Sequence, residues 1–293
     1  MMQELDPDKA VMKSPLPVVL AGGLGGWSWP VALAGGVLVF TYCQPCWCRS
    51  PYWGRRLMPN WHRAGAIKTA SQGDKSVSKI TIWGRKSSVN VQSVLWCLDE
   101  LDLAYHRIDA GFTYGVVTTA DFLAMNPNGK VPVLVDADGP AIFEAGAILR
   151  YLATQYAAAP FWPETPAARA VVDKWAEWAK LNFASQFISA VFWPLVRIPP
   201  SQRDYPAITA ALGLVEKELA IADKVLANNA YLAGDDFSLA DIQLGHCLYR
   251  YYDIDVRRAD LSYLRAYYDR LQARPAFARH VMVSYDELRV TTG

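Results

Sequence analysis

Two short stretches of this chain carry residues whose types and spacing point to ligand chemistry. In the first, Asn126 to Asp136 (NPNGKVPVLVD), a turn leads into an apolar, β-branched run interrupted by Pro132. Proline cannot donate to a sheet ladder, so inside a strand signal it marks an edge, a bulge or a cis peptide. A cis Val131-Pro132 bond would leave the Val131 N–H and C=O free to face a ligand. In the second, Phe143 to Ala153 (FEAGAILRYLA), Glu144 stands at the mouth of a predicted helix. Free N–H groups and the positive dipole end attract anions there. A strand end that pairs with a peptide, beside a helix start that holds a carboxylate, describes a pocket for a small acidic peptide.

The elements around these residues follow from periodicity. Lys79 to Gly84 (KITIWG) alternates as a first strand, and Val91, Val94, Leu95 and Leu98 then recur at helical spacing. Ser87 and Ser88 therefore lie on a strand-to-helix loop, close to the helix N-terminus, where a serine commonly caps the helix. Leu103 to Ala110 reads as a second strand, and DFLAMNPNGK as a short helix entering the proline-bearing strand. From Thr165 onward the chain reads as helices, broken by Pro194, Pro199, Pro200 and Pro206. Ser238 to Asp241 has the form of a capping box with Asp in the place of Glu or Gln.

From about Ser78 to the C-terminus, this order of motifs resembles the cytosolic glutathione transferases, in particular the bacterial serine-type, Nu- and theta-like members. The resemblance rests on Ser88 and Asn90, Val131-Pro132, Glu144, and FSLADI (Phe237 to Ile242). It implies an α/β thioredoxin-like domain (βαβαββα, with a cis-proline) over 78–157, followed by an all-α helical-bundle domain over 165–293. It also implies conjugation of the glutathione thiolate to small electrophilic, apolar substrates, with glutathione as co-substrate and no metal. Ser88 then matches the thiol-activating hydroxyl and Asn90 a neighbour of the sulfur, with Ser87 as the alternative hydroxyl. Lys130 matches a contact to the glycyl end, and Val131, ahead of Pro132, a backbone partner of the cysteinyl unit. Glu144 matches the holder of the γ-glutamyl ammonium, and Ala145 offers an N–H to its carboxylate. Ala145 departs from the family's usual serine, removing a charge-assisted hydrogen bond worth about 1.5–3 kcal/mol.

One hydroxyl is enough for the chemistry. A free thiol titrates at roughly 8.5, so only a few per cent is thiolate at neutral pH. Lowering that value by about two units takes roughly 2.7 kcal/mol, within reach of one hydrogen bond to a charged acceptor plus a helix dipole. Trp175, Trp178, Phe183, Phe187, Phe192 and Trp193 are candidates for an apolar second-substrate wall, with core packing the role of most of them, and Arg169 and Arg197 are candidates for approach to glutathione. Two rivals stand beside conjugation: glutathione-dependent disulfide or peroxide reduction, and a non-catalytic binding module on the same fold. The resemblance further implies a homodimer in the cytoplasm.

Composition narrows the field. The 293 residues carry a formal net charge of +1, which leaves no electrostatic footprint for nucleic acid. Residues 1–77 read differently, as an apolar extension that is disordered, spurious or a membrane anchor. Their charge-free stretch, 15–42 at its centre, is long enough to cross a bilayer but is punctuated by Pro15, Pro17, Pro30 and paired glycines. Membrane association is expected only if that segment belongs to the natural protein, and it would then face the cytoplasm. Cys43, Cys46 and Cys48, with His62, lack the second spaced pair of a zinc site. Cys97 and Cys247 fall in apolar helical patterns and read as small buried hydrophobes.

Overall fold

The computed structural model describes residues 79–290, all of them within the compact unit Lys68–Gly293. The expectations for the apolar extension and its cysteine cluster lie outside the described residues. Strand β1 (Ile80–Trp83) pairs in parallel with β2 (Tyr105–Ile108), Ile80 opposite Tyr105 and Trp83 opposite Ile108. A parallel pair needs a crossover, and α1 (Val89–Glu100) supplies it. The chain then passes a 3-10 turn (Phe112–Tyr114) and the short helix α2 (Ala120–Met125), capped by Thr119 Oγ1 accepting from the Phe122 N–H. Strand β3 (Val133–Asp136) runs antiparallel to β1, and β4 (Ile142–Phe143) antiparallel to β3, giving the order β2-β1-β3-β4. Helix α3 (Ala145–Tyr156) follows at once. This is the βαβαββα order expected from the sequence, and the Val131-Pro132 peptide is cis.

Both faces of the sheet are covered. Ile80, Ile82 and Leu134 join the main core with α1 and α3, while Ala110, Phe122 and Val133 form a small cluster on the other side. Helix α1 is buried along most of its length because it lies between the sheet and the helices that follow. Cys97 and Cys247 are fully buried in that core, and burial pushes both thiols up, Cys247 to about 12.

The helical part begins at α4 (Pro166–Trp178), where Thr165 caps and Pro166 occupies a position whose missing N–H costs nothing. The pattern from Ala167 to Trp193 reads as one helix in sequence, but the structure widens it twice. Two π-helical segments, Ala179–Ala184 and Phe187–Phe192, lead into α5 (Trp193–Arg197). Such widening re-aims side chains and is frequent at functional sites. Helices α6 (Tyr205–Leu226), α7 (Leu239–Asp253), α8 (Ser262–Gln272) and α9 (Pro275–His280) complete the bundle, and a 3-10 turn (Asp286–Leu288) closes the tail. Arg274 forks onto Glu100 at 2.8 and 2.6 Å, tying the helical part to α1.

Helix α7 is the axis of the bundle, with nearly every residue from Leu239 to Leu248 buried. Its capping box is present, and Asp241 does more than cap. The buried carboxylate accepts from the Leu232 N–H (2.9 Å), the Ser238 N–H (2.8 Å) and hydroxyl (3.0 Å), and the Tyr267 hydroxyl (2.9 Å). Asp241→Ala strands those donors in a dry site, so a loss of about 3 kcal/mol or more is expected. Chemical unfolding checks this: the midpoint should fall far for Asp241→Ala and less for Asp241→Asn.

Candidate functional site

Two adjoining clefts open where the sheet meets the helices. The first, about 500 Å³, is lined by Ser87, Ser88, Asn90, Lys130 and Val131 from the sheet side and by Ile188, Trp193, Arg197 and Arg250 from the helices. The second, about 330 Å³, is lined by Glu144, Ala145, Lys180, Gln243 and His246. Val89, Asn90 and Ile188 line both. The structure therefore brings Ser87, Ser88, Asn90, Lys130 and Val131 to one cleft, and Glu144 and Ala145 to its neighbour.

Each residue has a local reason to be where it is. The Asn126 side chain folds the NPNG turn, its Oδ1 accepting from the Asn128 N–H at 3.1 Å and its Nδ2 donating to the Lys130 C=O at 2.7 Å. Gly129 sits there at φ 60°, which glycine adopts without penalty. The turn delivers Val131 to the cleft, and among the described residues nothing hydrogen-bonds to the Val131 N–H or C=O. Glu144 holds φ 69° at the N-terminus of α3, a conformation costing a non-glycine residue about 1–3 kcal/mol and found mainly at ligand sites. Its exposed carboxylate lies 3.6 Å from Lys180 Nζ. His246 Nδ1 is 3.2 Å from the Ile242 carbonyl, and burial holds the imidazole down at about 4, so it is neutral at pH 7.

The two adjacent serines differ sharply. Ser87 Oγ donates to Glu287 of the tail and accepts from Arg85 Nε at 3.1 Å, while the Ser87 carbonyl accepts from Arg250 Nη2. Ser88 occupies the N-cap of α1, yet its side chain makes no capping bond, and no group among the described residues hydrogen-bonds to its Oγ. One serine is spent on structure; the other presents a free hydroxyl beside the amide N–H groups of a twelve-residue helix.

The remaining candidates separate by burial and contact. Phe183, Phe187 and Phe192 are fully buried and pack on one another, so they are core and not pocket wall. Trp175 and Trp178 pack edge to face, and Trp178 Nε1 donates to Glu218. Of the six aromatic candidates, Trp193 lines the first cleft. Arg169 is used locally, donating to the Pro163 and Glu164 carbonyls and stacking on Trp162, whereas Arg197 does reach the cleft. Sequence reasoning missed Arg85, Phe112, Lys180, Arg250 and Glu287. A signal existed for Arg250, which falls at i+8 from Ile242 and i+4 from His246, a charge on the inward face of a largely apolar helix.

Comparison with known proteins agrees with this architecture. Sequence models of the glutathione S-transferase N-terminal and C-terminal domains match residues 78–154 and 184–275. The chain belongs to the glutathione S-transferase family. It is 39% identical to glutathione S-transferase GstB of Escherichia coli K12 over 205 residues, spanning 70% of this chain and 98% of that protein. It is 32% identical to glutathione S-transferase 3 of Zea mays, over 70% of this chain and 94% of that one. Among solved structures it resembles a theta class glutathione S-transferase of Xanthomonas axonopodis pv. citri with glutathione bound, at 42% identity and a TM-score of 0.67. That match covers 71% of this chain and 99% of the other.

The tail contact yields a test that requires no substrate. Glu287→Ala removes the acceptor that holds Ser87 Oγ, so amides of the loop from Arg85 to Ser88 should exchange hydrogen several-fold faster. Exchange read by mass spectrometry should change there and in the tail, with the β1 and α1 interiors unmoved.

Proposed function

We propose that the protein conjugates the thiolate of glutathione to small electrophiles, with Ser88 Oγ donating to the sulfur and Asn90 beside it. The observation that carries this reading is the contrast between the serines: Ser87 Oγ is engaged by Glu287 and Arg85, and Ser88 Oγ has no partner in a cleft shared with Val131. Glutathione would lie across both clefts. Its glycyl end reaches Lys130, its cysteinyl amide pairs with the Val131 backbone beside Pro132, and its γ-glutamyl end sits at the start of α3. There Glu144 takes the ammonium and the Ala145 N–H takes the carboxylate. The division into a glutathione-binding part (78–157) and a helical part (165–293) belongs to the same proposal, the helices supplying Ile188, Trp193 and Arg197 as the wall facing the sulfur.

The sulfur's ionisation follows from that placement. A hydroxyl donates one charge-assisted hydrogen bond, and the N-terminus of α1 adds a favourable field for the anion. No imidazole is required as a base. We further propose a homodimer in the cytoplasm, as the family resemblance implies; among the described residues no helix is long and apolar enough to cross a membrane.

Four measurements test the reading. Ser88→Ala should lower turnover near neutral pH by about twenty-five-fold, because the thiol returns from about 6.5 toward roughly 8.5 and the thiolate fraction falls from about three quarters to a few per cent. The sign is specific: the loss should shrink as pH rises above that value, and Ser87→Ala should not reproduce this pH-dependent loss. Ala145→Ser should lower the KM for glutathione about tenfold, restoring one hydrogen bond to the γ-glutamyl carboxylate. If the protein is neither retained on immobilised glutathione nor thermally stabilised by it, the binding-module reading replaces conjugation. Disulfide reduction that outpaces conjugation to an aryl halide would instead favour the reductase reading.

A further inference from the structure

The first cleft is charged in one direction. Arg85, Lys130, Arg197 and Arg250 line it, and no aspartate or glutamate does. Arg250 is the most unusual of the four. It is 1% exposed, its guanidinium lies over the rings of Phe192 (4.6 Å) and Tyr285 (5.5 Å), and no carboxylate among the described residues pairs with it. Its Nε is buried with no partner. With no carboxylate paired to it, this guanidinium leaves uncompensated positive charge at the wall of the cleft.

The rim repeats the pattern. Arg197 stacks on Trp193 at 4.1 Å and lies 5.1 Å from the centroid of Phe112, whose ring also meets Arg85 at 5.5 Å. Phe112 is a bulky residue at φ 57° and is 46% exposed, so the backbone holds an apolar ring in an unfavourable conformation at the cleft mouth. Cations backed by flat apolar surfaces suit a ligand with both a planar body and a negative group.

We infer that the electrophile selected by this cleft carries a carboxylate, received by the guanidinium cluster around Arg197 while its flat apolar body rests on Phe112 and Trp193. This rests on the conjugation reading above. A count of charges shows why glutathione alone does not satisfy the site. Lys130 is assigned to the glycyl carboxylate, and the γ-glutamyl carboxylate lies in the second cleft. Against the three arginines stand the thiolate and Glu287, which reaches Arg85 through Ser87. One positive charge remains, and an arginine fork matches a carboxylate in shape as well as in sign.

The matched probes are a chlorodinitrobenzoate, its chlorine para to the carboxylate and flanked by the nitro groups, and its methyl ester. In both, the thiolate sulfur attacks the carbon bearing chlorine, the C–S bond forms, and chloride leaves with the bonding pair. The thiol proton has already passed to solvent. Each kcat/KM is divided by the uncatalysed rate constant with glutathione, since the ester is the more activated ring. The acid should then be favoured by about tenfold or more, and Arg197→Gln should bring the ratio close to one, with Arg197→Lys retaining part of the preference. High salt should narrow the wild-type ratio. An ester handled as well as the acid, or a ratio that Arg197→Gln leaves unmoved, overturns charge selection while leaving conjugation standing. If neither probe is conjugated and immobilised glutathione does not retain the protein, the conjugation reading fails and this inference fails with it.

Discussion

Arg250 is the group around which the site is built. A guanidinium removed from water is costly unless its donors and charge find compensation. Here the compensation is the Ser87 carbonyl on one side and the faces of Phe192 and Tyr285 on the others. Burial holds its pKa down at about 10, still far above neutrality, so the charge persists. The arginine therefore joins three otherwise distant pieces of chain: the loop before α1, the π-helical stretch after α4, and the tail near Tyr285. It does so from α7, whose other end is fixed by the four hydrogen bonds to Asp241. A helix anchored at both ends is a rigid rod on which the Arg85–Ser88 loop can be mounted.

What that mounting achieves is a division of labour between neighbouring residues. The loop from Arg85 to Ser88 is restrained by Arg250 at a backbone carbonyl and by Glu287 and Arg85 at the Ser87 hydroxyl. All of those restraints fall on Ser87. Ser88, one peptide further on, inherits a fixed position without spending its own hydroxyl. A donor held in place and left unpaired needs little reorganisation when an anion arrives, which is the condition for strong electrostatic stabilisation. The Val131 backbone is prepared in the same way, its amide and carbonyl unpaired at the end of a strand that the sheet otherwise holds in register.

Much of this was legible in the sequence, and the boundary has a physical basis. The order of strands and helices, the positions of Ser88, Val131 and Glu144, and the capping box all depend on residues within a few positions of one another. Local turn chemistry and periodicity encode them directly. The choice between Ser87 and Ser88 was open because the contact that engages the Ser87 hydroxyl comes from Glu287, two hundred residues away. Phe183, Phe187 and Phe192 fall within two π-helical segments, and a widened helix leaves no clear mark on a period of 3.6, so periodicity alone does not separate them from pocket residues. Arg169 and Arg197 looked equivalent in sequence. One sits beside a loop whose carbonyls need donors; the other sits at the end of α5 with two aromatic faces to lean on.

The distribution of charge also bears on how the sulfur would be kept ionised. A hydroxyl acts on the sulfur it touches and on nothing else, whereas a cluster of guanidinium groups raises the potential throughout the cleft. Arg250 is screened little because it is out of water, while Arg197 at the rim is screened more. In the conjugation reading, the anion most sensitive to direction is the thiolate, and Ser88 supplies direction. The anion most sensitive to long-range attraction is an incoming substrate, and the arginines supply that. The two effects oppose each other at one point: guanidinium groups that stabilise the thiolate too well also make it a weaker nucleophile. A neutral hydroxyl as the near partner, with the full charges a layer further back, limits that cost while keeping the sulfur deprotonated.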